Sequence, residues 1–282
     1  MLGQHPELYA FPELRLFRTD LVAGLLVEPR RGRGIPVQQR TAGLVRALSQ
    51  LHEGEQSEGA ATRAVAWLRT HNRLSVSEVM RHLLNLVAPR IGVEKSPEST
   101  RTDQALRRMA TSFPRARYIH LVRHPWSSVA SMVDAWQGLP YWDVPADRAV
   151  RYCLAVWHEQ HTRIEQFGAS LPGDRFLRVR AEDVVNLTPG SLFAVCRWLE
   201  VDAGASSLGR MEHPERSPYA TPGPPSAQGG FDATFLHGPV LRPLRLEKES
   251  PPVLVASPAL RDAAIALAGR FGYEPISPLA SR

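Results

Sequence analysis

Three short strand-like runs, each followed by a helix-like segment, constrain the fold of this chain most. The runs are residues 91–94, 118–122 and 175–180. Amphipathic periodicity predicts helices at residues 39–51, 60–69, 76–87, 102–112, 126–136, 146–167, 191–199 and 259–271. Strands that alternate with helices favour a parallel sheet, because parallel neighbours need a crossover connection whose helix covers one face. The sequence therefore predicts an α/β fold of three layers, with helices on both faces of one parallel sheet.

Two segments depart from this alternation. Residues 36–90 carry three helical patterns and no strand, which indicates a helical insertion. Residues 203–258, called the lid segment below, are irregular, and five prolines and three glycines fall within residues 214–230. An irregular segment of this length is usually a lid or a linker. Because a helical pattern follows it, a lid packed by its own aromatic side chains, Tyr219, Phe231 and Phe235, is favoured over a tail.

The composition is that of one globular domain over residues 1–282, with 43% apolar residues. No apolar run approaches the roughly 20 residues of a membrane span. The first residues lack the basic flank and apolar block of a secretory signal, so we expect a cytoplasmic protein. Cys153 and Cys196 form no C-x-x-C pair, so neither a metal site nor a redox motif is expected.

The basic charge of the chain comes almost entirely from arginine. The net charge is +6, and only Lys95 and Lys248 among the 34 basic residues are lysines. A basic surface attracts anions in general, and the planar guanidinium binds phosphate or sulfate through two hydrogen bonds. A nucleic-acid binder would cluster its basic residues among aromatic ones. These arginines are spread evenly, so nucleic acid is the least favoured partner.

The strongest local signal is the junction at Arg123, directly after the predicted strand 118–122. Pro125 suits the first turn of a helix, so Arg123 lies where a strand meets a helix N-terminus, whose free N–H groups favour an anion. Ser127, Ser128 and Ser131 follow at spacings that place hydroxyls on neighbouring parts of one helix face. The residues alone leave two alternatives: a phosphate site, or a surface ion pair beside a solvated row of serines.

The string V-R-H-P-x-x-x-V-x-S, which contains Arg123 and Ser131, resembles the 3′-phosphate-binding motif of sulfotransferases that use 3′-phosphoadenosine-5′-phosphosulfate (PAPS). Residues 5–17, 93–97 and 175–185 are similar to further segments of that family in the same chain order. The resemblance implies that Arg123 and Ser131 bind the 3′-phosphate of the co-substrate. One departure is Ala181, where the family generally has tyrosine.

The same resemblance implies catalytic roles for Glu13 and Lys95. In relatives the segment similar to residues 5–13 holds a glutamate as general base, which removes the proton of the acceptor hydroxyl as its oxygen attacks sulfur in line. A carboxylate whose pKa is raised by burial can do this. Lys95 would stabilise charge that develops on an oxygen, and Glu94 is expected to orient it. The alternatives are a turn cap or salt bridge for Glu13 and an exposed strand-end lysine for Lys95.

Two histidines are further candidates. His213 in the lid segment is the rival general base, because histidine is the commonest residue in that role; the alternative is an ordinary loop residue. His161 belongs to the apolar stripe of the predicted helix 146–167. We expect it to be a hydrogen-bonded core residue first and a pocket residue second.

The family pattern begins with a strand and a loop of the form P-R-S-G-[ST]-[ST], which cradles the 5′-phosphosulfate. This sequence contains no such loop. The expected fold is therefore P-loop-like, with the first strand and the phosphate loop missing.

The leading hypothesis is a PAPS-dependent sulfotransferase that acts on a hydroxyl of a small molecule or of a carrier-bound acyl chain. The helical insertion and the lid segment resemble bacterial sulfotransferases found with polyketide assembly lines, which implies secondary metabolism. The alternative is a non-catalytic or truncated relative that keeps only the 3′-nucleotide half-site.

Overall fold

The computed structural model describes residues 1–29, 34–137, 142, 144–244 and 257–274. The chain divides into two compact units. Unit 1 comprises Met1–Pro114 and Phe193–Leu241, and unit 2 comprises Arg115–Leu192 and Arg242–Arg282. Residues 245–256 of the predicted lid segment lie outside the described residues.

The described residues form short strands and many helices. The strands are β1 (Leu8–Ala10), β2 (Ile91–Val93), β3 (Tyr118–Val122) and β4 (Phe176–Arg180). The α-helices are α1 (Val22–Leu25), α2 (Val37–Glu53), α3 (Glu58–Thr70), α4 (Val76–Val87), α5 (Asp103–Ser112), α6 (Pro125–Gln137), α7 (Ala146–Ser170), α8 (Ala181–Val185), α9 (Ser191–Leu199), α10 (Ala205–Met211), α11 (Ala233–His237) and α12 (Pro258–Arg270). Every helix predicted from periodicity is confirmed, with ends that agree to within three residues.

The strands pair in two separate parallel sheets. In unit 1, β1 pairs with β2, so that Leu8 lies opposite Ile91. In unit 2, β3 pairs with β4, so that Val122 lies opposite Arg180. The α/β class and the parallel pairing are confirmed. The single three-layer sheet is wrong for the described residues, because no strand among them joins the β1–β2 pair to the β3–β4 pair.

The predicted helical insertion forms the core of unit 1. Helix α2 packs against α3 and α4, and α4 also packs against β2. Buried side chains of this core include Phe11, Leu44, Leu48, Leu68 and Leu83. The start of α4 is fixed by a capping box, in which the hydroxyl of Ser75 accepts from the backbone N–H of Glu78 and the Glu78 carboxylate accepts from the backbone N–H of Ser75.

The described part of the lid segment is more ordered than predicted, since it contains α10 and α11. Tyr219 is fully buried in the core of unit 1, and its hydroxyl lies 2.7 Å from the hydroxyl of Tyr9. Arg46 of α2 donates hydrogen bonds to the carbonyls of Gly229, at 2.5 Å, and Tyr219, at 3.1 Å. Tyr219 therefore packs against the body of unit 1 and not only among aromatic neighbours of its own segment. The role of this segment as a lid stays a prediction.

Unit 2 is built around the pair β3–β4. Helix α7 packs against β3, α6 and α12. Its core includes Trp126, Leu154, Trp157, Leu267 and Phe271. Both strands end at the same edge of their sheet, so the residues that follow them, Arg123 and Ala181, begin the connections at that edge.

Candidate active site

Glu13 and Lys95 form an ion pair in unit 1. The ammonium of Lys95, directly after β2 and Glu94, donates to Oε1 of Glu13. The guanidinium of Arg15 donates to Oε2 at 2.9 Å. The side chain of Glu13 is 9% exposed and that of Lys95 is 63% exposed. The carboxylate is therefore buried between two cations, one of which reaches solvent.

The backbone of Glu13 and Arg15 is held in place by contacts with distant parts of the chain. The N–H of Glu13 donates to the carbonyl of Gly230 at 2.7 Å. Gly43 of α2 packs directly on the Glu13 backbone, and a β-carbon at that position would overlap the Glu13 carbonyl oxygen. Arg15 has a left-handed backbone conformation, with φ 52°, and its N–H donates to Oγ of Ser96 at 2.8 Å. These contacts were not evident from the sequence, because each joins distant parts of the chain.

The electrostatics of Glu13 differ from the expectation. Burial raises the pKa of Glu13, but the cations of Lys95 and Arg15 outweigh burial and hold the pKa below its usual range. The expected raised pKa is therefore wrong, because two cations contact the carboxylate. Glu13 is ionised at neutral pH and can accept a proton, but it is a weaker base while Lys95 is bound to it.

Glu94 has a different function in the fold from the one predicted. Its carboxylate accepts from the hydroxyl of Ser96 and from the backbone N–H of Leu14. Burial raises the pKa of Glu94 to about 7. The ammonium of Lys95 is held by Glu13 rather than oriented by Glu94, so that expectation is wrong. Glu94 and Ser96 instead stabilise the loop of residues 14 and 15, because they accept hydrogen bonds from the backbone N–H groups of Leu14 and Arg15.

The rival base His213 stands directly before a 3-10 turn at Pro214–Arg216. Its Nδ1 lies 2.9 Å from the carboxylate of Glu215, and both side chains are partly exposed. Among the described residues no hydrogen bond or ion pair joins His213 to Glu13 or Lys95. The structure therefore brings Glu13 and Lys95 together but does not bring His213 into contact with them.

Arg123 lies at the predicted strand–helix junction in unit 2. Strand β3 ends at Val122 and α6 begins at Pro125. The carbonyl of Arg123 accepts from the indole N–H of Trp157 at 3.2 Å. Within the described part of the chain, the guanidinium has no ion-pair partner and its buried Nε has no hydrogen-bond partner. Leaving a buried charged donor unpaired costs free energy, so the surroundings of Arg123 favour an anion site over a surface ion pair.

A cavity of about 300 Å³ adjoins Arg123. It is lined by Leu121, Arg123, Ser128, Ser131, Met132, Trp157, Gln160, His161 and Ala181. Arg123 and Ser131, the two residues expected to bind a 3′-phosphate, therefore share one cavity, and Ser128 lies with them. Ser127 is buried and is not among the lining residues.

His161 occupies both of its predicted environments. Its Nδ1 lies 2.7 Å from Nε2 of His120, which is a buried residue of β3. The ring packs against Trp157 and Phe271, and the residue also lines the cavity. Both the hydrogen-bonded core position and the pocket position are confirmed.

Glu182 holds the start of α6 in place, although no role was predicted for it. Its Oε1 accepts from the backbone N–H of His124 at 2.9 Å. Its Oε2 accepts from the hydroxyl of Tyr273 at 2.7 Å. Glu182 lies directly after β4 and Ala181, and His124 lies directly after β3 and Arg123. The hydrogen bond between Glu182 and His124 therefore joins the segments that follow the two strands. The partners are 58 and 91 residues away in sequence, so no local pattern could have identified them.

The described residues offer neither a metal site nor a membrane-spanning helix, and both cysteines are buried. Among the residues that the structure describes, no group of three or more histidine, cysteine, aspartate or glutamate side chains could hold a metal ion. Cys153 and Cys196 are buried free thiols, and burial raises the pKa of Cys153 to about 11. None of the described helices is both long and apolar enough to cross a membrane.

Comparison with known proteins identifies the family. A model of the sulfotransferase family matches residues 1–204. The fold is similar to a sulfotransferase domain from the curacin biosynthetic pathway, with a TM-score of 0.72, 23% identity and coverage of 97% of this chain and 91% of that one. A sulfotransferase domain from the Synechococcus PCC 7002 olefin synthase matches with a TM-score of 0.72, 24% identity and coverage of 97% and 88%. No curated protein gives a match. The family expected from the motifs is thereby confirmed, and the chain belongs to the sulfotransferase family.

Proposed function

We propose that this protein transfers a sulfuryl group from PAPS to a hydroxyl acceptor. The observation that carries the proposal is the guanidinium of Arg123, which has an unpartnered buried Nε beside a cavity of about 300 Å³. Such a group fits a phosphate, because an arginine can donate two hydrogen bonds to it. Family membership supports the choice of PAPS as the phosphate-bearing substrate.

In this proposal Arg123 and Ser131 bind the 3′-phosphate on the ribose of PAPS. When bound, PAPS supplies the sulfuryl group. The hydroxyls of Ser131 and Ser128 add donors at the same cavity, and the N-terminus of α6 adds a favourable dipole. No metal ion is part of the proposed reaction.

Glu13 is the proposed general base and Lys95 the proposed electrostatic partner. Glu13 accepts the proton of the acceptor hydroxyl as that oxygen attacks sulfur. Because the side chain of Lys95 is 63% exposed, its ammonium can turn from Glu13 toward an anionic substrate. That movement would take one of the two cations away from Glu13, so the effect of burial would raise the pKa of Glu13. Glu13 would then be a stronger base when the substrate is present.

His213 stays the rival base in this proposal. Its ring is partly exposed, and its Nδ1 contacts the carboxylate of Glu215. Comparing Glu13→Gln with His213→Asn by turnover separates the two. Loss of transfer in His213→Asn together with full transfer in Glu13→Gln would move the role of base to His213.

We infer that the acceptor hydroxyl belongs to a small molecule or to a carrier-bound acyl chain. Two similar structures are sulfotransferase domains from the curacin biosynthetic pathway and from an olefin synthase, which supports a place in bacterial secondary metabolism. The net charge of +6 would favour an acidic carrier protein. In this proposal residues 1–282 act as one cytoplasmic sulfotransferase domain.

The test measures binding of adenosine 3′,5′-bisphosphate to the full chain by calorimetry. Arg123→Ala should weaken binding by about 1.5–3 kcal/mol, because a charged hydrogen-bond partner of the phosphate is lost. Arg148→Ala is the matched control, since it removes an exposed arginine of the same unit without touching the cavity. Equal affinity in wild type and Arg123→Ala would remove Arg123 from the site.

A second measurement separates the enzyme from the alternative, a non-catalytic or truncated relative that keeps only the 3′-nucleotide half-site. The protein is incubated with PAPS and a set of alcohols and carrier-bound hydroxyacyl substrates, and release of adenosine 3′,5′-bisphosphate is followed. Release that depends on the acceptor supports transfer. Binding of the bisphosphate without any release would favour the alternative.

A further inference from the structure

His120 and His161 of unit 2 are hydrogen-bonded to each other, and this bond fixes which ring nitrogen of His161 can donate to a ligand. His120 lies in the middle of β3 and His161 lies on α7, and the 2.7 Å hydrogen bond between them joins Nε2 of His120 to Nδ1 of His161. Phe271 contacts both rings edge-on, with ring centroids 5.3 and 5.7 Å away. Burial lowers the pKa of His120 to about 3 and that of His161 to about 4. Both rings are therefore neutral near pH 7, and each carries one proton.

Arg178 determines where those protons lie. Its Nε donates to Nδ1 of His120 at 3.5 Å. Because a guanidinium can only donate, Nδ1 of His120 is the acceptor and carries no proton. The proton of His120 is then on Nε2, which donates to Nδ1 of His161. The proton of His161 is consequently on its own Nε2.

Nε2 of His161 is the only polar atom of that ring left for a ligand, because Nδ1 accepts from His120. Among the described residues it has no hydrogen-bond partner, and His161 lines the cavity with Arg123 and Ser131. Ala181 also lines the cavity but contributes no polar side-chain atom. His161, which lines the cavity with Arg123, therefore has an uncharged N–H left for a ligand.

We propose that His161 is a further substrate-binding residue, which donates from Nε2 to the phosphate monoester bound by Arg123, with its tautomer set by Arg178 through His120. The proposal rests on the proposed function, because it needs a phosphate in the cavity. His161 binds the ligand, whereas His120 and Arg178 are positioning residues. A neutral donor adds a hydrogen bond without adding a second charge beside Arg123.

The binding test uses adenosine 3′,5′-bisphosphate and the full chain in calorimetry. His161→Phe keeps a ring of similar size but removes the donor, and it should weaken binding about tenfold or more, since a hydrogen bond to a charged group is lost. His161→Gln can place an amide N–H near the position of Nε2 and should recover part of the affinity. Adenosine 5′-monophosphate, which lacks the 3′-phosphate, should bind wild type and His161→Phe equally. A similar loss for both nucleotides would indicate a merely structural effect and would overturn the proposal.

The tautomer test is independent of the nucleotide. Long-range proton–nitrogen NMR of the wild-type protein should show His161 protonated at Nε2 and His120 protonated at Nε2. In Arg178→Met the guanidinium donor is gone, so both rings should become mixtures of the two neutral tautomers. A proton on Nδ1 of His161 in the wild type would overturn the proposal.

The outcomes separate this proposal from the proposed function. Bisphosphate binding that is lost in Arg123→Ala but unchanged in His161→Phe leaves the proposed function standing and rejects the role of His161. No bisphosphate binding by the wild type rejects both. Circular dichroism of each variant confirms that it is folded before its affinity is compared.

Discussion

The ammonium of Lys95 contacts the carboxylate of Glu13, although 82 residues separate them in sequence. The contact joins the segment after β1 to the segment after β2, two strands that pair in parallel. Because parallel strands end at the same edge of a sheet, residues that follow them in the chain come together there. The geometry of unit 1 thus explains why a base and a cation from distant motifs share one position.

Removing the charge of Lys95 should change the acidity of Glu13. In Lys95→Gln the burial of Glu13 remains while one of its two cations is lost, so its pKa should rise. Since the base must be ionised, the acidic limb of the kcat/KM profile should move to higher pH. Lys95→Arg keeps the charge and should leave that limb in place. An unchanged acidic limb in Lys95→Gln would contradict the coupling of the two residues.

Glu13→Gln should lower transfer by about 10²–10⁴-fold, the range typical of a lost general base. The substitution leaves unit 2 untouched, so the affinity for adenosine 3′,5′-bisphosphate should not change. Turnover and calorimetry on the same preparation check both statements. Wild-type turnover in the variant would show that Glu13 has only a structural role.

Gly43→Ala should destabilise the protein, because its β-carbon would overlap the Glu13 carbonyl oxygen. We expect a loss of about 1–3 kcal/mol, as for other overpacked interiors, together with reduced transfer from displacement of Glu13. Gly209→Ala in α10 is the matched control, since its β-carbon would meet no atom within 4 Å. The control should gain up to about 1 kcal/mol from helix propensity. Denaturant midpoints measure both, and equal midpoints would contradict the close packing.

Glu182→Ala should weaken bisphosphate binding without removing a group that lines the cavity. It deletes an acceptor of the buried His124 N–H, at a cost of about 1–3 kcal/mol, and leaves the Tyr273 hydroxyl with the Val122 carbonyl, at 3.4 Å, as its acceptor. Because His124 follows Arg123, the position of the guanidinium should become less defined. Tyr273→Phe removes the hydroxyl contacts to Glu182 and to the Val122 carbonyl but keeps the contact between Glu182 and His124, so it should reduce stability while largely keeping the affinity. Full affinity in Glu182→Ala would show that Arg123 needs no such support.

Protonation of the buried histidines should destabilise the fold in mild acid. Unfolded histidine binds a proton near pH 6.5, whereas folded His161 does so only near pH 4 and His120 near pH 3. Between these values the unfolded state holds more protons, so the free energy of unfolding falls as pH falls from about 6.5. The charged groups around the pair are Arg178 of β4, Glu165 of α7 and Arg270 of α12.

The pH effect is measured as a difference between variants. Glu94, whose folded pKa is raised to about 7, acts in the opposite sense, because its stability contribution falls as pH rises. We therefore compare wild type with His161→Phe in urea at pH 7 and pH 5. The stability difference should shift by roughly 1–2 kcal/mol in favour of the variant at the lower pH. A difference that does not depend on pH would mean that folding leaves the pKa of His161 unchanged and would contradict its burial as a neutral ring.

The sequence by itself determined the eight longer helices, three of the strands and the place of Arg123 directly after a strand, whereas the short helices α1, α8, α10 and α11 were not predicted. The capping box at Ser75 and the proline at the start of α6 are local signals, and the helical boundaries follow from them and from amphipathic periodicity. Strand β1 was missed, because three residues carry no periodicity and their pairing partner is β2, far away in the chain. Arg123 and Ser131 could be predicted together because they lie eight residues apart, within one motif.

Only the tertiary structure decided which charged side chains contact each other and which groups share a hydrogen bond. Glu94 was expected to hold Lys95, but the buried carboxylate that reaches its ammonium is that of Glu13. Glu182 and His120 had no predicted role, since their partners come from other elements. Helices form from interactions three or four residues apart, which a sequence displays directly. The pKa of a carboxylate or an imidazole depends on burial and on charges brought near by folding, and those neighbours have no fixed spacing along the chain.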